Sequence, residues 1–167
     1  SSFERGFAHA SVYKTVCVDL VDERNKATSS RIFRRPKKED ISAKDASALR
    51  LDEDGLPPIG LYVEQGDIVY SVMDSETGKV SYHKHESSEP AYIDEIRILD
   101  GDKEKGVQKV SIKYRYNRNP VVGDKFSSRH GQKGVVGLIV GQENMPFSNA
   151  GIYPDMIMNP HGFPSRM

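Results

Sequence analysis

Gln108-Lys109-Val110-Ser111-Ile112-Lys113-Tyr114-Arg115-Tyr116 alternates without a break. Gln108, Val110, Ile112, Tyr114 and Tyr116 fall on one face of an extended chain, and Lys109, Ser111, Lys113 and Arg115 on the other. Successive side chains of a strand point to opposite faces. The stretch therefore predicts a β-strand with one side towards a core and a cationic side outward. Through Asn119-Pro120 it enters a segment of different character, Gly123-Asp124-Lys125-Phe126-Ser127-Ser128-Arg129-His130-Gly131-Gln132-Lys133-Gly134. Lys125, Arg129, His130 and Lys133 fall within nine residues there, and Asp124 is the only acid. The glycines free the backbone where it must turn or let something approach closely. Lysines serve as point charges and arginine as a planar fork for phosphate oxygens, so the loop suits a polyanion. The plainer alternative is a solvated basic loop. A strand over Val135–Val140 is predicted to leave it, which would hold the loop between two strands as a fixed site.

The same period-two pattern recurs on both sides, and the predicted fold class is mainly β. Val12, Val16, Val18 and Leu20 share one face of a strand, with Lys14 as the exception. Asp67–Met73 and Lys79–His83 flank Asp74-Ser75-Glu76-Thr77-Gly78, a composition suited to a hairpin loop. Ala91–Leu99 reads as another strand. Residues 22–50 are dominated by charged and small polar side chains and predict a long exposed connection, with at most a short helix over Ser42–Arg50. The basic run Arg34–Lys38 reads as a solvated loop diluted by neighbouring acids, with nucleic-acid contact as the sharper alternative. Asp52-Glu53-Asp54 precedes Gly55 and Pro57-Pro58 and reads as a turn rather than a metal site. His83 and His85 share one face without a third ligand nearby, which predicts an exposed structural role. Asp100–Gly106 begins like a calcium loop. Its glycine comes one place late and Ser111 stands where a bidentate glutamate is needed, so it reads as a turn.

The chain has 167 residues with 24 basic and 24 acidic side chains, so overall charge points to no partner. Distribution does. From Lys113 to Gly134, six cations stand against Asp124, a local charge of +5 that favours an anion site. Cys17 is the only cysteine, which excludes a disulfide or a multi-cysteine zinc site within the chain. No apolar run approaches the roughly 18 residues of a membrane helix, and no membrane partner is expected. The sequence at both ends is as densely patterned as the middle, which predicts an internal segment of a longer protein.

Two autonomous chemistries fail on spacing. Ser127, Ser128, His130 and Asp124 are close, but no Gly-x-Ser-x-Gly elbow surrounds them. A Walker loop needs Gly-Lys-Ser/Thr, whereas Gln132 separates Gly131 from Lys133 and Gly134 replaces the hydroxyl residue. What remains is electrostatic: cations on a fixed loop hold phosphates and stabilise charge that develops during phosphoryl transfer. Such transfer usually needs metal ions. No tight carboxylate cluster flanks the loop, so the metal ligands would come from a partner or another segment.

These residues carry a resemblance. Gly123–Gly134, followed by Met145-Pro146-Phe147, Gly151, Pro154-Asp155 and Asn159-Pro160-His161-Gly162-Phe163-Pro164-Ser165-Arg166-Met167, resembles in order and spacing the second-largest subunit of cellular multisubunit DNA-directed RNA polymerases. Ser1-Ser2-Phe3-Glu4-Arg5-Gly6-Phe7 resembles the segment that follows an acidic motif of that subunit. Phe7–Thr15 and Leu51–Pro57 are similar to the RNA polymerase I form, whereas Gly137–Val140 and Met158–Gly162 are similar to the RNA polymerase III form. The polymerase I form is favoured.

The resemblance implies a split double-psi β-barrel, the hybrid-binding domain, from residues 1–12 and 110–167. It implies an inserted β-rich wall or flap from residues 13–109. It implies that Lys125 and Lys133 are active-centre lysines near the RNA 3′ end and the incoming nucleotide. Arg129 and Arg166 would stand near the nucleotide's phosphates, with His130 and Gln132 at further binding positions. It implies a magnesium ion held by an aspartate triad of the largest subunit. The implied partners are that subunit and the other polymerase subunits, the DNA template, the RNA–DNA hybrid and nucleoside triphosphates. The implied location is the nucleus, and the nucleolus for the polymerase I form. Asn144 departs from the usual aspartate before Met-Pro-Phe, which puts any salt bridge there in doubt. The competing readings are a polymerase II or III subunit, a non-catalytic nucleic-acid-binding β module, and a scaffold segment with an incidental basic loop.

Overall fold

A computed structural model describes residues 1–20, 31–102 and 106–166, with the backbone alone at Asp102, Gly106 and Arg166. The chain divides into two compact units. Ser11–Tyr116 is continuous, whereas the other unit joins Ser1–Ala10 to Asn117–Met167.

Among its described residues the continuous unit contains seven strands: β1 (Ala10–Asp19), β2 (Arg31–Phe33), β3 (Tyr62–Val63), β4 (Ile68–Asp74), β5 (Val80–Lys84), β6 (Ala91–Asp102) and β7 (Gly106–Arg118). They form a four-stranded sheet in the order β1-β7-β6-β3 and a three-stranded sheet in the order β2-β4-β5. The mainly-β expectation holds. β7 has the predicted inward face: Gln108, Val110, Ile112, Tyr114 and Tyr116 are all buried. Its apolar members join Val63, Ala91 and Ile93 of the same sheet, Phe33, Val69 and Val72 of the other, and Leu20 and Leu56, in one core. A second small cluster joins Ala48 and Leu51 to Ile68 at the start of β4. β4 thus sends neighbouring residues into different clusters, and its pairing with β5 shifts register between Ile68 and Tyr70.

Several sequence expectations change. The stretch read as an exposed connection over 22–50 contains β2, which pairs antiparallel with β4 (Ile32 opposite Met73) and buries Phe33. A three-residue strand with two apolar side chains leaves too short a pattern to detect, and its partner lies about forty residues away. The helix over 42–50 is a 3₁₀ segment, Ala43–Arg50, interrupted at Asp45. Residues 22–30 of that connection, and 103–105 of the turn beginning at Asp100, lie outside the described residues. The predicted Asp74–Gly78 hairpin loop holds, with Asp74 Oδ1 accepting from the N–H groups of Glu76 and Thr77.

His85 is buried rather than exposed. It lies against Tyr114 and Tyr116, and its Nε2 meets the Glu89 carbonyl at 2.9 Å. Burial pushes the Tyr114 hydroxyl up to about 12, so that phenol stays neutral at ordinary pH. His83 instead stacks on Tyr70, with centroids 4.4 Å apart. Burial first, and then the Arg31 charge, hold His83 below its usual value of 6.5. The unfolded chain therefore binds a proton at higher pH than the folded one does. The associated stability is fully present above pH 6.5 and is lost as pH falls towards the lower folded value. Protection of β4–β5 amides, corrected for intrinsic exchange, is expected to weaken below pH 6.5 in the wild type and less in His83→Gln. Equal slopes in the two proteins would remove His83 as the cause.

One glycine in this unit has no substitute. Gly55 ends the Asp52–Asp54 turn at φ +77°, where L side chains are strained. Its carbonyl accepts the Ser71 N–H at 2.9 Å, while Ser71 exchanges bonds with the backbone of Arg34 through its carbonyl and its hydroxyl. A Cβ at Gly55 would lie 2.6 Å from Arg34 N and 2.8 Å from Ser71 O.

Candidate functional site

The basic loop belongs to the discontinuous unit and is a hairpin in its own right. β8 (Lys125–Ser127) pairs antiparallel with β9 (Lys133–Val135), with Lys125 opposite Val135, Phe126 opposite Gly134 and Ser127 opposite Lys133. The predicted strand over 135–140 is corrected: β9 ends at Val135, and its pairing carries the loop itself rather than a departure from it. Two more bonds extend the ladder, from Gly123 N–H to the Val136 carbonyl and from Val136 N–H to the Asp124 carbonyl, both 2.8 Å.

Register determines what the lysines can do. Directly opposed residues share a face, as do residues two apart, so Lys125, Ser127, Lys133 and Val135 lie on one side. Lys125 and Lys133 are diagonal neighbours, a relation that sets them roughly 7–8 Å apart. Two unit charges about 7–8 Å apart repel by about half a kcal/mol in water, too little to open a ladder, and flexible lysine stems let the ammonium groups move further apart. An anion between them is attracted by both. Phe126 points to the opposite side and stacks on Phe7, with centroids 5.9 Å apart and planes at 29°. Gly134, across from Phe126, leaves that side free of a cross-strand side chain.

The tip is organised by Ser128. Its hydroxyl accepts the N–H groups of His130 (3.2 Å) and Gln132 (3.3 Å), and its carbonyl accepts the Gly131 N–H at 3.1 Å. Gly131 takes φ +75° to complete the reversal. Arg129 and His130 are carried exposed at the apex. Asp124 does not serve the tip: its carboxylate accepts the Val121 N–H at 2.9 Å and fixes the entry turn. The hydroxyls and the acid that could suggest a nucleophilic triad are thus bound to local backbone. Gln132 is half-buried, and its Oε1 is enclosed with no hydrogen-bond donor among the described residues. The backbone of Arg166 ends a 3₁₀ turn, Pro164–Arg166, and its side chain lies outside the described residues.

The cationic face of β7 changes character. Lys113 lies 3.8 Å from Asp94 and 3.5 Å from Glu95, Arg115 lies 3.9 Å from Asp94, and Lys109 meets Asp19 at 3.0 Å. The Arg97 hydrogen bond first, and then the Arg97 and Lys113 charges, hold the Glu95 carboxyl below its usual range. Lys113 and Arg115 also lie over the rings of Tyr13 and Tyr92. Two of the six cations of the +5 run, Lys113 and Arg115, face acids of β6, and Lys125, Arg129 and Lys133 are carried on the hairpin.

Among the described residues, no group of three or more His, Cys, Asp or Glu side chains converges as a metal site would require. Asn144, in the position of the expected aspartate, donates to Glu143 Oε1 at 3.4 Å. No helix of the described chain is long and apolar enough to cross a membrane.

Comparison with known proteins gives a single direction. A family model, RNA polymerase Rpb2, domain 6, matches residues 1–167. The chain is 47% identical over 174 residues to DNA-directed RNA polymerase I subunit RPA135 of Saccharomyces cerevisiae, covering all of this chain and 14% of that protein. It is 43% identical over 169 residues to subunit RPA2 of Homo sapiens, again with 14% of the relative covered. The corresponding subunit of Dictyostelium discoideum is 40% identical over 174 residues, with 15% covered.

Proposed function

Because the chain belongs to the RNA polymerase Rpb2 domain 6 family, with second-largest subunits of RNA polymerase I as its relatives, we propose that its β8–β9 hairpin is the cationic half of a nucleotidyl-transfer centre. The observation that carries this is the register, which sets Lys125 and Lys133 on one face of a single short ladder. In this reading Lys125 and Lys133 hold charge beside the RNA 3′ end and the incoming nucleoside triphosphate. Arg129 offers its planar fork to phosphate oxygens, His130 and Gln132 line the same approach, and Arg166 is assigned to the nucleotide's phosphates on the resemblance alone. Preorganised cations act most strongly where negative charge grows in the transition state and need no rearrangement as it grows.

The proposed domain boundaries follow the resemblance: residues 1–12 and 110–167 in the hybrid-binding barrel, and 13–109 in a wall beside the RNA–DNA hybrid. The division into compact units at 10/11 and 116/117 supports these boundaries without coinciding with them. The chain covers 14% of the RPA135 and RPA2 relatives, so catalysis belongs to an assembled polymerase with a largest subunit, further subunits, template DNA and the hybrid. This class of enzyme is metal-dependent. The described side chains do not fit a magnesium site, and the ion is assigned to the largest subunit. A nuclear location follows from the polymerase I relatives, and the nucleolus is its finer form.

Affinity labelling tests the assignment. A nucleoside triphosphate bearing an aldehyde on its terminal phosphate, bound to the assembled polymerase and fixed by borohydride reduction, is expected to mark Lys125 or Lys133. Labelling confined to lysines outside 123–134 would overturn it.

A further inference from the structure

The face of the hairpin turned away from the lysines has a partner of its own. Resting on the function proposed for the hairpin, we infer that Phe7 is a positioning residue for Lys125 and Lys133, acting through its stack on Phe126. Phe126 is the central residue of β8, between Lys125 and Ser127, and its ring lies on the side opposite both lysines. Across from it stands Gly134, so no cross-strand side chain supports the ring on its own sheet. Support comes from Phe7, 5.9 Å away with its plane inclined at 29°.

Phe7 is itself firmly placed. Its N–H donates to the Ser2 carbonyl at 3.0 Å, and the preceding Gly6 turns at φ +87° with its N–H on the Phe3 carbonyl. Ser2 Oγ donates to the Asp155 carbonyl at 2.7 Å, and Ser1 Oγ to the Pro154 carbonyl at 2.9 Å. Arg5 pairs with the Asp155 carboxylate, and Glu4 accepts the Gln142 N–H at 3.1 Å. The ring under the hairpin is therefore mounted on a segment bound at four points to residues 142–155. Backbone bonds alone resist rocking of such a short ladder about its long axis weakly, and the Gly134 flank adds no side chain. The Phe7–Phe126 stack opposes that motion, and rocking would displace both lysines together.

The test uses the assembled polymerase and single-nucleotide addition. Phe7→Ala is expected to lower kcat/KM for nucleotide addition about tenfold, less than the roughly hundredfold that a misplacement of about 1 Å can carry, because the backbone ladder of the hairpin is kept. Phe7→Tyr, which keeps the ring, is expected to stay within about twofold of wild type. Phe126→Leu removes the stack from the other side and is expected to match Phe7→Ala, which guards against a Phe7 variant that fails to assemble. The deciding readout is the double variant with Lys125→Ala. If Phe7 acts through the lysine, the two losses combine to less than their product. A Phe7→Ala enzyme within about twofold of wild type, or losses that multiply in full, would overturn the inference while leaving the lysine assignment intact. A normal rate for Lys125→Ala and Lys133→Ala would overturn the assignment, and this inference with it.

Discussion

Replacing Lys125 and Lys133 together by alanine in the assembled polymerase is expected to slow nucleotide addition by more than about a hundredfold. Each single alanine is expected to cost roughly ten- to a hundredfold, below or at the foot of the roughly hundred- to thousandfold loss when one preorganised donor is removed from a transition-state site. The two effects should not multiply, because both cations act on one charge distribution. The hairpin predicts how the loss divides. A lysine that holds the triphosphate equally in ground and transition states will raise KM and spare kcat, whereas one that meets developing charge will lower kcat. Lys→Arg variants should recover only part of the rate, since a planar fork does not replace a compact point charge. Binding gives a second measure. Each cation withdrawn from a phosphate should reduce the slope of log affinity against log salt by about one. Normal elongation by the double variant at low nucleotide concentration would remove the hairpin from the chemistry.

Gly55→Ala is expected to destabilise the continuous unit by about 2–5 kcal/mol, from roughly 1–2 kcal/mol of left-handed backbone strain and roughly 1–3 kcal/mol of overpacking. The clash is severe because the atoms met are backbone: Arg34 N at 2.6 Å, Arg34 C at 2.7 Å and Ser71 O at 2.8 Å. None is the end of a flexible side chain. Gly66 provides the comparison. It has φ +90° but nothing within 4 Å of an added Cβ, so Gly66→Ala should carry the strain alone. Amide protection at Ser71 and Arg34 in the assembled subunit measures the difference. Equal losses of protection in the two variants would refute the packing account.

The sequence exposed what depends on local alternation and concealed what depends on distant pairing. β7 was legible because its two faces differ at every step from Gln108 to Tyr116. The Asp74–Gly78 hairpin was legible because turn residues stand between two such patterns. β2 was not, because Arg31–Phe33 becomes a strand only when β4 lies beside it. The charge on β7 misled for the same reason: Asp94 and Glu95, some twenty residues upstream, come beside Lys113 and Arg115 only through the β6–β7 register. His85 looked like His83 in sequence, and only the Tyr114–Tyr116 pair on β7 distinguishes it. At the site, spacing picked out the cations but not their geometry. That Lys125 and Lys133 share a face follows from the turn at Ser128–Gln132, whose bonds no composition rule specifies. Phe126 carried one sequence signal, an aromatic alternating with polar neighbours. Phe7, its partner, stood in a stretch that carried the resemblance, with nothing in the sequence to join it to Phe126.

The discontinuous unit closes only when Ser1–Glu4 meets Gln142–Asp155, with the whole of residues 11–116 looped out between them. On a translating ribosome the two units cannot mature in the order in which they begin. The continuous unit is complete once Tyr116 has cleared the exit tunnel. The segment Ser1–Ala10, synthesised ahead of it, must wait roughly forty residues longer for its clasp, or about 2–8 s at ordinary elongation rates of about 5–20 residues per second. For the first half of that interval, until Val135 has emerged, the Phe7 ring has no hairpin to support. Ser1–Ala10 thus waits for partners made well after it, although it emerges before everything it will hold.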